Sequence, residues 1–418
     1  MNYSTKISER MWNQPDKGEL EAEREQTFID DIVQKAHIEK ELLAHLDGIR
    51  TVFDGGAGSG RFSILLAKQG LQVTHFDISQ PMIDKAKELA SYAGVLDRIT
   101  FVKGMLEDLS AYADRSFDLV VSFDAPISYT YPNQERTIRE LVRIAKKRIM
   151  ISVSSRLGAL PYLANPIQKN QFILDRNSRD EWVQWCLRSR EQMIEGFSFR
   201  PDSLKAAMET GLLSDPEEAR QAYDRGEVPW SITYHFLPEE LKRILEDCGV
   251  RNVELAGPGA FARTLPNEIL VRIMQDSEQR KGFLEFCHQY DSHPSVCGLG
   301  KDNLFARGDI GGQEPAEQHS GEKEFSREVQ DEGDGVRASA EPVLESDCRA
   351  VRAGDAHHHS GEEETDPGQW PGPVGLHRQL CDHRVFRRQH PGRPRQRPED
   401  YPGQQPDRKD LLQRTKIP

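Results

Sequence analysis

Long apolar runs are missing from this 418-residue chain: none approaches the ~20 positions that a membrane-spanning helix requires. Its opening, Met1-Asn-Tyr-Ser, lacks the apolar core of a secretory signal. Cysteine is sparse too. Cys186, Cys248, Cys287, Cys297, Cys348 and Cys381 form no tight framework, which argues against a disulfide-stapled fold and suits a reducing cytoplasm. Positive charge falls short of negative, 55 Lys and Arg against 68 Asp and Glu, and the net −13 argues against a nucleic-acid substrate. No internal repeat is present, and the Gly-x-Gly-x-x-Gly dinucleotide fingerprint is absent. Started at Gly56 its last position is Arg61, and started at Gly58 it is Ser63.

What stands in place of that fingerprint is Thr51-Val-Phe-Asp-Gly-Gly-Ala-Gly-Ser-Gly-Arg-Phe-Ser63. Thr51 to Phe53 predict a short buried strand, Gly56, Gly58 and Gly60 a tight turn open to a ligand, and Arg61 to Gln69 a helix over that turn. Asp54 closes the strand, and a carboxylate there would repel a pyrophosphate but suits a cationic ligand. Further along, Leu71–Phe76, Arg98–Val102, Phe117–Phe123 and Arg148–Val153 read as strands. Between them Gln80–Ala93 and Glu135–Ala145 read as helices, the first capped by Ser79, started by Pro81 and ended by Gly94. This βα alternation predicts a doubly wound, mostly parallel sheet with its site beyond the strands' carboxyl ends. Leu237–Gly249 is a further well-punctuated helix, Arg251–Leu255 a strand, and Asn303–Ala306 a final strand.

The spacing Asp54-x-Gly56-x-Gly58-x-Gly60 resembles motif I of the class I methyltransferases, which use S-adenosylmethionine. The resemblance implies a seven-stranded α/β sheet whose last strand is antiparallel. It also implies a donor crevice lined by Asp54, Gly55, Gly56, Gly58, Gly60, Asp77, Ile78, Leu106, Glu107 and Phe123. Asp77, ending the second strand, is the ribose ligand in that scheme, since one carboxylate accepts from both hydroxyls; it also reads as an N-terminal charge for the next helix. Where relatives carry Gly-Asp for the adenine amino group this chain has Gly104-Met105, so the backbone near Leu106 or the Glu107 side chain must serve. Glu107 and Asp108 also read as the start of a short helix. Asp124-Ala125-Pro126-Ile127 partly matches the Asp/Asn-Pro-Pro-aromatic segment of amino-methylating relatives, and reads otherwise as a plain loop. Asp124, Tyr129 and His235 are the candidate bases, although His235 between Tyr234 and Phe236 also suits a packed position.

Two long insertions, 154–234 and 257–300, exceed ordinary loops and read as a helical lid contributing the acceptor pocket; the first includes helical pieces at Arg179–Arg190 and Pro201–Glu209. Gly18–Leu46 is helical and lies across the cofactor or against the sheet edge. The domain is read as 1–308. Beyond it Ile, Leu, Val and Phe supply roughly 14% of residues 309–418, below the ~20% that ordering requires, so this tail is expected to be disordered. It turns from acidic to basic, with Arg384–Arg397 short of the aromatics that single-stranded nucleic-acid binding uses, and the abrupt change fits a shifted reading frame. Cys287, His288, His293 and Cys297, with His357 to His359 in the tail, match no common zinc spacing, so no metal is expected. The chain is thus expected to be a cytoplasmic enzyme moving a methyl group from S-adenosylmethionine to nitrogen or oxygen of a small molecule. An NAD(P)-dependent oxidoreductase and a non-catalytic S-adenosylmethionine-binding protein are the other classes that fit.

Overall fold

The computed structural model describes residues 2–164, 201–300 and 303–311, with the single positions 184 and 188. Three helices open it: α1 (Tyr3–Trp12), α2 (Lys17–Thr27) and α3 (Ile29–Ala44). The helix expected over 18–46 is therefore two helices, parted at Phe28, whose extended backbone ends one and starts the next. α1 was not expected. Asn2 caps it by accepting from the Thr5 N–H, and it buries Ile7 and Met11, four residues apart on one face.

There follow β1 (Thr51–Gly55), α4 (Arg61–Lys68), β2 (Gln72–Asp77), α5 (Gln80–Tyr92), β3 (Ile99–Lys103), β4 (Phe117–Ser122), α6 (Gln134–Ile144) and β5 (Ala145–Val153). The expected punctuation of α5 is present: the Ser79 side chain accepts from the Met82 N–H, Pro81 lies in the first turn, and Gly94 takes φ +69 just past the end. After β5 come α7 (Arg156–Ala164), α8 (Pro201–Thr210), α9 (Pro216–Asp224), α10 (Pro238–Asp247), β6 (Val250–Ala256), α11 (Asn267–Gln275), α12 (Ser277–Tyr290) and β7 (Leu304–Ile310).

The sheet has seven strands in the order β3-β2-β1-β4-β5-β7-β6, with β7 antiparallel to both of its neighbours. β4, at its centre, buries every residue from Asp118 to Ser122, the continuous burial expected of a parallel strand covered on both faces. One face carries α6 and α10 over Phe53, Val120, Ile149, Ile151 and Leu304. The other carries α3, α4 and α5 over Val52, Val73, Leu119, Val121 and Met150. β7 runs past the expected Ala306 to Ile310, because Gly308 pairs with Ile149 on one side and lies so close to β6 that a Cβ there would stand 2.4 Å from Val250 Cγ1.

In the first insertion α9 packs on α1, with the Arg10 guanidinium 3.4 Å from the Tyr223 ring centre and donating to the Tyr223 carbonyl at 2.8 Å. The second insertion packs on α3, where Ile29 and Val33 share an apolar cluster with Leu270, Met274 and Cys287, and it also meets the start of α7, where Ser155 Oγ donates to the Gly298 carbonyl. The helical piece read at 179–190 lies outside the described residues apart from positions 184 and 188, and so does the tail from 312 onward, with its charge reversal and suggested frame change.

Candidate functional site

At the carboxyl end of β1 the chain turns through three left-handed glycines, Gly56 (φ +71), Gly58 (φ +55) and Gly60 (φ +87). Only glycine adopts this readily. Gly56 and Ala57 both donate their N–H groups to the Phe76 carbonyl, at 2.7 and 3.2 Å, which binds the loop to the end of β2. A Cβ at Gly56 would lie 2.3 Å from Pro126, and one at Gly60 would lie 2.8 Å from Ala86 Cβ, so these two glycines permit close packing. At Gly58 nothing stands within 4 Å of that position, and the crest of the loop faces open space. Leu106 packs beneath, 2.9 Å from where a Gly55 Cβ would be.

Asp77 holds this crest. Its carboxylate accepts from the Gly58 N–H at 2.8 Å and from the Ser79 N–H at 2.8 Å. Two oxygens with about four acceptor sites leave capacity for a diol as well. Burial pushes Asp77 up to about 6, while the N–H groups of Ser79, Gly58 and Ile78 pull the other way. The two readings of Asp77 therefore meet in one residue, which anchors the start of α5 and the loop together. Ile78, beside it, is half-buried.

Asp54 departs from the reading that it meets a ligand's positive charge. Its carboxylate is 2% exposed and accepts from Ser63 Oγ at 2.6 Å, in the first turn of α4. Ser63 Oγ also lies 3.1 Å from Nδ1 of the fully buried His75. Since the serine proton goes to Asp54, His75 must donate from Nδ1, and a hydroxyl so engaged is no nucleophile. Burial raises Asp54 to about 7 and lowers His75 to about 3. This chain of three was not legible, because Asp54 and Ser63 share neither a strand nor a helix.

These shifts set a pH dependence. Asp54 and Asp77 bind protons more tightly folded than unfolded, so their contributions to stability are complete below about pH 4 and fade as the pH rises through about 6 to 7. His75 acts oppositely, its contribution present above about 6.5 and lost as the pH falls toward about 3. Between pH 4 and 6.5 the terms offset one another. Asp54→Asn removes one opposing term, so urea midpoints of that variant should climb more steeply over this window than those of the parent; equal slopes would refute the opposition.

Opposite the glycine turn, β4 ends in two consecutive left-handed residues that are not glycine, Asp124 (φ +62) and Ala125 (φ +63). Such backbone costs about 1–3 kcal/mol per residue and concentrates at functional sites. It is held by the Asp124 N–H donating to Ser152 Oγ at 2.9 Å, and by Gln34 and Lys35 of α3, 3.3 and 3.6 Å from the Asp124 carboxylate. Ala125 then starts the short helical turn Pro126–Thr130, which brings Pro126 against Gly56. Phe123 is taken up by the core, its ring between Phe62 and Phe305.

α1 crosses the carboxyl ends of these strands. Thr5 Oγ1 donates to Glu107, Ser4 Oγ to the Tyr129 carbonyl at 3.4 Å, and Ser79 Oγ to the Trp12 carbonyl at 2.7 Å. Glu107 and Asp108 lie in a turn and start no helix; Asp108 instead accepts from Ser110 Oγ at 2.6 Å. Trp12 stands edge-on to Tyr129 at 5.8 Å and to Trp230 at 6.0 Å, forming a half-buried aromatic corner. Lys17 Nζ lies 5.4 and 5.9 Å from the two indole centres. His235 is buried, with its Nδ1 3.2 Å from the Thr233 carbonyl, in a strap whose backbone bonds to Gly211 and to Ser128. Sequence reasoning missed the α1 residues and Gln34 and Lys35. The Asn2–Thr5 cap and the Ile7–Met11 stripe were the available signals for α1.

Of the four residues weighed as zinc ligands, Cys287 is buried in the α3 cluster, His293 accepts from the Ser295 N–H, and Cys297 turns to the Pro294 carbonyl. Among the described residues no helix is long and apolar enough to cross a membrane.

A family model described as a methyltransferase domain matches residues 52–148, the segment from β1 into β5 that builds the crest, Asp77 and the strained turn. The chain is 36% identical over 70 residues to the tRNA 5-carboxymethoxyuridine methyltransferase of Escherichia coli, covering 17% of this chain and 27% of that one. It is 32% identical over 115 residues to the magnesium-protoporphyrin O-methyltransferase of Rhodobacter capsulatus, covering 28% and 49%. The matches thus span a quarter to a half of these relatives' length. Among solved structures, the magnesium protoporphyrin IX methyltransferase of Synechocystis with bound S-adenosylmethionine aligns at 15% identity over 74% of this chain and 97% of that one, with a TM-score of 0.39. The chain carries a class I S-adenosylmethionine-dependent methyltransferase domain.

Proposed function

We propose that the chain transfers the methyl group of S-adenosylmethionine to a nitrogen or oxygen atom of a small molecule. The observation that carries this reading is the pairing of an open, Asp77-latched glycine crest with a strained Asp124–Ala125 turn across the Gly56–Pro126 contact. Gly55, Gly56, Gly58, Gly60, Asp77, Ile78, Leu106 and Glu107 would hold the donor, and Asp54 would hold α4 beneath it through Ser63. The donor supplies an electrophilic methyl group on a sulfonium, so the protein has chiefly to align it with the acceptor and exclude water. α1, laid over the strand ends, suits the exclusion of water. Asp124, paired with Lys35, is too weak a base to ionise an alcohol but can accept from an amine N–H. The corner of Trp12, Tyr129 and Trp230, already attended by the Lys17 cation, favours a nitrogen acceptor, because indole faces attract positive charge. Tyr129 and His235 would help to order such an acceptor. The net charge of −13 favours a small molecule over RNA.

Calorimetry with S-adenosylmethionine and with NAD(P) separates the donor from a dinucleotide, and incubation with methyl-labelled donor and fractionated cell extract tests the acceptor. Binding of the sulfonium donor and label in the low-molecular-weight fraction are expected. Dinucleotide binding alone would overturn the enzyme class, and label confined to RNA would overturn the acceptor class.

A further inference from the structure

We propose that His37, Glu41 and His288 form a divalent transition-metal site, zinc by its ligand chemistry, which fastens α12 to α3. His37 and Glu41 are four residues apart and share one face of α3, and His288 reaches them from the neighbouring helix. One ligand atom from each lies within 4.8 Å of the others, and His288 Nε2 is already 3.4 Å from Glu41 Oε1. The rings of His37 and His288 stand 4.8 Å apart.

Three features separate this cluster from an ordinary polar contact. His37 is only 3% exposed, yet neither of its ring nitrogens has an aligned hydrogen bond, and Nδ1 of His288 has none either. A buried imidazole nitrogen without an aligned bond is rare in folded proteins unless an ion or a water is to be counted with it. Behind His37 lies Asp291, fully buried, with Oδ2 3.2 Å from His37 Nδ1. A carboxylate behind a histidine is the usual outer support of a metal-ligating ring, since it fixes the proton on Nδ1 and leaves Nε2 for the metal. The charge also suits a cation: Glu41 and Asp291 are both acidic, while Arg307, 2.9 Å from Glu41 Oε2, is shared with Glu254.

Two imidazoles and one carboxylate are a zinc donor set with a fourth position left for water. Bonds of ~2.0–2.2 Å require the ligand atoms to close by roughly an ångström from their outermost separation, a shift that rotation of the partly buried His288 and Glu41 side chains can supply. The site differs from the Cys287, His288, His293, Cys297 set, as it uses no sulfur.

The test titrates the chelator-treated full-length chain with zinc sulfate against a chromogenic zinc indicator. It is run in parallel with His357, His358 and His359 replaced by alanine, so that the tail is accounted for. One equivalent is expected in both, lost in His288→Gln and in Glu41→Gln, and weakened roughly 10- to 100-fold by Asp291→Asn. X-ray absorption should report imidazole nitrogen and no sulfur. Circular dichroism and melting in chelator show that each variant is folded, and positions 41 and 288, less buried than 37, keep the test usable if His37→Gln unfolds. No stoichiometric zinc, binding that survives His288→Gln, or sulfur in the metal shell would each overturn the site.

Discussion

Arg156→Met is expected to lower the free energy of unfolding by about 3 kcal/mol, the low end of the cost of breaking a buried ion pair, because Arg156 is buried while its partners Glu240 and Tyr234 are partly buried. Arg156 is 5% exposed and has four partners in three segments. Its Nη2 meets Glu240 Oε2 at 3.1 Å and the Tyr234 hydroxyl oxygen at 3.0 Å, Nε donates to the His235 carbonyl at 2.9 Å, and Nη1 to the Met208 carbonyl at 3.1 Å. Tyr234 completes the network by donating to Glu240, and burial followed by that carboxylate pushes its hydroxyl up to about 12. The bonds join α7, α8, the His235 strap and α10. Gly211, at φ +75, is required because a Cβ there would stand 2.6 Å from Arg156 Nη2. Urea unfolding should show a lower midpoint with an unchanged slope. Arg156→Met combined with Glu240→Leu should lose less than Arg156→Met alone, since the second change removes the stranded carboxylate. A double variant no more stable than Arg156→Met would assign the loss to packing.

Legibility of the fold followed how local each determinant was. The glycine turn and the ends of α5 were readable because the residues that specify them lie within a few positions of one another: Ser79 reaches Met82, and Gly60 starts α4 directly. The strand order required a family pattern, since nothing in β7 alone announces that it inserts between β5 and β6. The length of β7 was misread for the same reason: Arg307, Gly308 and Asp309 look like a loop, yet Arg307 pairs with Glu254 and Asp309 with Arg148 across the two neighbouring strands. At the site, the backbone positions of the crevice could be placed, but the partner of the Asp54 side chain could not. Strand periodicity puts Asp54, two residues after Val52 within β1, on the α4 face, but it does not say that Ser63 of α4 rather than a ligand meets the carboxylate there. The strain at Asp124 and Ala125 left no mark on the sequence either, because a left-handed aspartate is imposed by its bonds to Ser152, Gln34 and Lys35, all distant in the chain.

Asp77→Ala should weaken S-adenosylmethionine binding by about 1.5–3 kcal/mol, roughly 10- to 150-fold, as charge-assisted bonds to the ribose are lost. Asp77 also secures Gly58 and Ser79, so part of any loss could come from a loosened crest. A ligand cycle separates the two causes. S-adenosylhomocysteine and its analogue lacking the ribose hydroxyls are each titrated into the parent and the variant. If Asp77 holds the ribose, the analogue binds worse than its counterpart in the parent and about equally in Asp77→Ala. Should the penalty be the same in both proteins, Asp77 only shapes the loop. Proton linkage gives an independent check: a carboxyl held near 6 by burial, and already accepting two backbone N–H bonds, accepts from both hydroxyls of a diol only when ionised, since protonation turns one of its oxygens into a donor. Donor affinity should therefore be constant above about pH 7 and fall as the pH drops through about 6, and the fall should vanish in Asp77→Ala. An acid limb retained in that variant would move the titration to Asp54, whose carboxyl lies near 7 one strand away.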